Sequence, residues 1–135
     1  MSEAPQTLVH RCEGFTLRVQ PREDHLRFEA GEGIDTREVS VAMWRAIVAE
    51  CLARGEKRCL VIESLTGEPE DPGAIDAVVD AYVQAGGAAL RCAFVEATSL
   101  NACNEACEVE GLFRDLEWRA FVDESSALRW LRYGS

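Results

Sequence analysis

The segment Arg58-Cys59-Leu60-Val61-Ile62-Glu63-Ser64 constrains this chain most, because its apolar residues run without alternation. A strand that is apolar on both faces must be covered on both, which is the condition inside a parallel sheet. The residues beyond Ser64 fit that reading. An acidic loop, Leu65-Thr66-Gly67-Glu68-Pro69-Glu70, leads to Asp71-Pro72 and then to a stripe at helical spacing: Ile75, Val78, Val79, Tyr82 and Val83. Asp71 suits an N-cap, and Pro72 suits the first helical position, where its missing N–H would be unpaired anyway. Gly86-Gly87 ends the helix, and Leu90-Arg91-Cys92-Ala93-Phe94-Val95 supplies the next strand. A parallel neighbour requires such a crossover helix, since a tight turn only reverses the chain.

The flanks extend this pattern. Residues 1–11 read as a lead-in, and 12–135 as a single domain. Phe15 to Gln20 and His25 to Ala30 each alternate apolar and polar residues around the turn Pro21-Arg22-Glu23-Asp24, which predicts an antiparallel hairpin. Asp35 with Glu38 has the form of a capping box, and the helix it opens runs through Val39, Met43, Trp44 and Ile47 to a stop at Gly55. A third helix begins near Ser99 or Asn101; it either ends at Gly111 or continues through Leu112, Phe113 and Leu116. Trp118 to Val122 is a strand, and a last helix from Ser125 or Ser126 to Arg132 presents Ala127, Leu128, Trp130 and Leu131. The order β-β-α-β-α-β-α-β-α predicts an α/β fold with a mixed, mostly parallel five-stranded sheet and helices packed against it.

Charge narrows the function classes. The net charge of −10 over 135 residues opposes nucleic acid and anionic membrane surfaces and favours a basic partner. No apolar run approaches the ~20 residues that span a bilayer. The N-terminus lacks a basic region followed by an apolar one, so the expected location is cytoplasmic. In that setting the six cysteines read mostly as reduced core residues. Cys103 and Cys107 share a helix face but lack redox spacing. Trp44, Trp118 and Trp130 fall on apolar-periodic positions, so core packing is the default for each. Trp130 alone has an alternative, an exposed patch for dimerisation or ligand contact. His25, at the start of a hairpin strand, reads as a surface residue beside the turn.

The candidate site is the loop after the apolar strand, at the carboxyl end where open α/β sheets bind ligands. It carries Ser64, Thr66, Glu68, Glu70, Asp71 and Gly73. Three carboxylates at a helix N-terminus occupy the field that would otherwise attract a phosphate, so no nucleotide is expected there. Neither a phosphate-binding glycine loop nor a nucleophile elbow is present. The expectation is no cofactor, no metal and no catalytic residue.

The residues Leu60-Val61-Ile62 with the following loop and helix, Gly86-Gly87, Gly111-Leu112-Phe113 and the closing Ala127-Leu128-Arg129-Trp130-Leu131 together resemble the STAS domain of bacterial anti-anti-sigma factors and sulfate-transporter tails. The stand-alone bacterial STAS/SEC14-like proteins are the nearest branch. The resemblance implies a non-enzymatic regulatory module that meets a partner protein on the loop and the start of the second helix. In anti-anti-sigma factors that helix opens on Asp-Ser-Ser-Gly, whose serine is phosphorylated. Asp71-Pro72-Gly73 keeps the aspartate and glycine and lacks both serines, which implies a lost phospho-switch. A homodimer, through a sheet edge or helix face, is compatible with this layout. The alternative is a SEC14-like carrier of a lipid or small molecule, with an apolar cavity lined by Met43, Trp44, Val79, Phe113 and Leu116.

Overall fold

The computed structural model describes residues 7–66, 73–96 and 102–134, without the side chains of 102–104. Among them, six strands form one sheet in sequence order: β1 (Leu8–Cys12), β2 (Phe15–Pro21), β3 (Leu26–Gly31), β4 (Arg58–Glu63), β5 (Arg91–Glu96) and β6 (Glu117–Phe121). The first three are antiparallel and β3 to β6 run parallel. Helices α1 (Arg37–Arg54), α2 (Ala74–Ala85) and α3 (Ala102–Phe113) make the parallel crossovers, and α4 (Glu124–Tyr133) follows β6. A single 3-10 turn, Gly87–Ala89, precedes β5.

The α/β class and the mixed, mostly parallel sheet are as expected from sequence, with one strand more than the five predicted. The extra strand is β1, drawn largely from the segment read as a lead-in. Leu8 pairs with Val19 and Cys12 with Phe15 around Gly14, whose φ of 86° closes the turn. The signal is weak in sequence because an edge strand buries little: Leu8 and Val9 stay exposed.

Alternation along the parallel strands builds two cores. Cys59, Val61, Cys92, Phe94 and Trp118 face the main core beneath α1 and α2, with Met43, Trp44, Ile47, Val79 and Tyr82 above. Leu60, Ala93 and Val95 face the other way, onto Ala127, Trp130 and Leu131 of α4. This explains the unbroken apolar character of β4: both of its faces are covered. All three tryptophans are buried. Trp44 and Trp118 pack on Tyr82 and Phe94, with ring centroids 4.6–5.8 Å apart. Trp130 lies under the guanidinium of Arg91, 3.9 Å from its ring centroid, so it forms no exposed patch. The thiols of Cys51, Cys59 and Cys92 are free and buried. A hydrogen bond with Cys59, then burial, holds the Cys51 thiol far above the usual range. Such thiols pack as small apolar groups and are inert as nucleophiles.

Helix ends depart from the sequence reading in two places. The N-cap of α1 is Thr36, whose Oγ1 accepts from the Val39 amide at 3.1 Å; Asp35, the expected cap, is turned inward. At the start of α2 the N-cap is Gly73, with no side-chain cap, and the predicted cap Asp71 lies outside the described residues. Gly55 and Gly86 terminate α1 and α2 in the left-handed conformation, as expected. The open choice for α3 resolves as a helix that passes Gly111 and stops at Phe113. Gly111 is retained inside the helix because a Cβ there would sit 2.3 Å from Trp118 Nε1. That close approach lets the indole donate to the Cys107 carbonyl at 2.9 Å.

Candidate functional site

At the carboxyl end of the parallel strands the chain after β4 is strapped to the segment after β3. Ser64 N–H donates to the Ala30 carbonyl at 2.7 Å, Thr66 N–H to Gly33 at 3.0 Å, and Asp35 N–H to Thr66 at 2.8 Å. Ile34 and Thr66 thereby form an isolated parallel bridge. The Thr66 hydroxyl donates to the Gly33 carbonyl at 3.2 Å, so it satisfies local backbone. The strap depends on Gly33: a Cβ there would stand 2.0 Å from the Gly14 carbonyl oxygen, so only glycine fits between that turn and the loop.

Of the sequence-predicted site residues, Ser64 is half-buried, Thr66 is exposed and Gly73 caps α2. Glu68, Glu70 and Asp71 lie outside the described residues.

Beneath the strap is a feature that the sequence reading missed. Glu63 and Asp35 are 8% and 7% exposed. Glu63 ends β4 directly opposite Glu96, which ends β5. Burial, then the charges of Asp35 and Glu96, and a hydrogen bond with Asp35 push the Glu63 carboxyl up to about 8. At neutral pH it therefore holds its proton and donates it to Asp35, which also accepts from Ser40 Oγ at 2.5 Å. The available signal was the pair of strand ends, Val61-Ile62-Glu63 and Phe94-Val95-Glu96, each placing a carboxyl one step beyond an apolar run. Among the described residues, no group of three His, Cys, Asp or Glu side chains is arranged to hold a metal ion.

His25, expected at the surface, is 4% exposed. It packs at the hairpin turn with Nδ1 2.7 Å from Asp24, which also accepts from Arg132 Nε at 2.8 Å. These hydrogen bonds, His25 first, hold the Asp24 carboxyl down to about 2. The pair joins the β2–β3 turn to the end of α4 and serves packing. Of the residues expected to line an apolar cavity, Met43, Trp44, Val79 and Leu116 are buried in the core, whereas Phe113 is 81% exposed and points away from it. Phe113 faces outward because α3 continues past Gly111 and carries it on the outer side of the helix.

No protein-family model matches this sequence, and no curated protein matches it. Among solved structures the chain is similar to an uncharacterized protein of the DUF3478 family from Shewanella loihica PV-4, described as having a SpoIIAA-like fold. The two share 21% sequence identity with a TM-score of 0.53, over 97% of this chain and 98% of the other. Among the described residues no helix is long and apolar enough to cross a membrane. Among the described residues, six strands in sequence order with three helices on one face and a fourth on the other make a SpoIIAA-like fold.

Proposed function

We propose that this protein is a non-enzymatic STAS-type regulatory module that binds a protein partner with a basic surface. The docking face is the β4–α2 loop and the start of α2, comprising Ser64, Thr66, Glu68, Glu70, Asp71 and Gly73. The observation that carries this reading is the strap. Main-chain bonds from Thr66 to Gly33 and from Asp35 to Thr66 hold the base of an acidic loop at the outer rim of the parallel strands. Anchoring Thr66 fixes where the chain leaves the sheet, which reduces the entropy lost when a partner binds at that point. Its chemistry is acidic and lacks both serines of the phosphorylated motif, so recognition by charge replaces a phosphate switch. A reducing, cytoplasmic compartment suits the free thiols of Cys51, Cys59 and Cys92.

The test is affinity capture from the native host, followed by titration of the purified captured protein with wild type and with Glu68→Lys/Glu70→Lys/Asp71→Lys. A loss of tenfold or more, about 1.4 kcal/mol, supports the reading. Unchanged affinity for every captured protein rejects it.

A further inference from the structure

The outer face of α3 carries Val109, Leu112 and Phe113, which are 51%, 64% and 81% exposed. Their spacing of three and four places them on one ridge of the helix. The inner face is already used. Gly111 lies against Trp118, Arg114 Nε bonds Glu110 at 3.1 Å while its Nη1 reaches Asp80 of α2, and Glu108 pairs with Arg119 of β6 at 3.4 Å. The helix is thus held by its polar and small residues while its three large apolar side chains face solvent. A folded domain rarely leaves such side chains contiguous without use.

The surroundings specify what fits. Between Glu105 and Glu117 there are five carboxylates and one cation, Arg114, which is spent on Asp80 and Glu110. Glu105 and Asp115, at the two ends of the ridge, are exposed and make no ion pair among the described residues. We propose that this face of α3 binds a cationic amphipathic helix of a partner protein, whose apolar stripe takes Val109, Leu112 and Phe113 and whose lysines or arginines meet Glu105 and Asp115. A helix is the matching shape because a convex i, i+3, i+4 ridge packs into the groove of another helix. A second copy of this chain would set the same carboxylates against each other, at a net charge of −10 per copy. An anionic lipid surface meets the same repulsion. The surface is separate from the β4–α2 loop and stands independently of the reading proposed there.

The probe is a Leu/Lys amphipathic peptide of roughly 18 residues, long enough to be helical, titrated into the isotope-labelled full chain. Amide shifts are expected to concentrate on Ala106–Arg114, and affinity is expected to fall about tenfold in Leu112→Ser/Phe113→Ser. Raising salt from about 0.05 to 0.5 M should weaken binding several-fold, and a Leu/Glu peptide should not bind. Both substituted side chains are exposed, so thermal melting should be unchanged, which separates loss of the face from loss of fold. Three results would overturn the proposal: shifts centred on the β4–α2 loop or spread over the acidic surface, and unaltered by the double substitution; a dimer in sedimentation that Phe113→Ser dissociates; or binding to anionic vesicles that the same variant abolishes. The loop variant Glu68→Lys/Glu70→Lys/Asp71→Lys should leave peptide binding at α3 within about twofold, so the two surfaces fail or succeed separately.

Discussion

Replacing Glu63 with glutamine should stabilise this protein at neutral pH. The folded carboxyl is pushed from 4.5 up to about 8. A raised pKa means the folded state holds the proton more tightly than the unfolded chain. Its contribution is therefore complete below pH 4.5 and is lost as pH rises to about 8. At about 1.36 kcal/mol per unit the full loss is about 5 kcal/mol. At pH 7 the unfolded chain has already released the proton, which lowers stability by about 3 kcal/mol relative to a side chain that cannot ionise. Glutamine is such a side chain, and its amide N–H can donate to Asp35 in place of the acid proton. Glu63→Gln should then gain about 3 kcal/mol at pH 7, on the order of a 10 °C rise in Tm, and about nothing at pH 4. Urea unfolding of both proteins from pH 4 to 9 tests this. The wild type should lose stability across that interval, and the difference between the two curves should widen with pH to a plateau above 8. Parallel curves, or a variant less stable at pH 7, would refute the placement of a proton-holding carboxyl beneath the strap.

Three further substitutions probe the packing and the acid limb. Gly111→Ala forces a Cβ to within 2.3 Å of the Trp118 indole, so it should cost about 1–3 kcal/mol in denaturant unfolding and alter tryptophan fluorescence. Arg91→Ala removes the stack on Trp130 and the 2.7 Å bond to its carbonyl; hydrogen exchange of Ala127–Leu131 should accelerate by about tenfold while α1 is unaffected. Asp24 has a depressed pKa, so its contribution is present above 3.8 and is lost as pH falls toward about 2. Asp24→Asn should flatten that acid limb of stability, as read by urea unfolding between about pH 2 and 5.

Much of the fold is legible in single residues. The continuous apolar run Cys59–Ile62 announced a strand covered twice, and the two cores on its opposite faces bear that out. Gly55 and Gly86 stop their helices as expected. The candidate site was less legible. Asp35 looked like a helix cap because capping is a local pattern, yet Thr36 one residue later takes the role and Asp35 turns inward to Ser40. His25 looked like a surface turn residue, yet it is buried, and its neighbour Asp24 is met by Arg132 of α4 from over 100 residues away. Phe113 looked like a cavity wall, but α3 continues past Gly111 and carries it outward.

Chain order, helix stops and the two-faced burial of the central strand follow from periodicity and backbone chemistry, which act over a few residues. The acidity of the segment after β4 is also written in the sequence. Tertiary structure alone decided the rest: that Glu63 and Glu96 stand opposite each other with Asp35 beside them, that Gly33 passes against Gly14, and that α3 turns its largest side chains outward. These are contacts between segments far apart in sequence. Their electrostatic and steric consequences exist only once the sheet has brought the segments together.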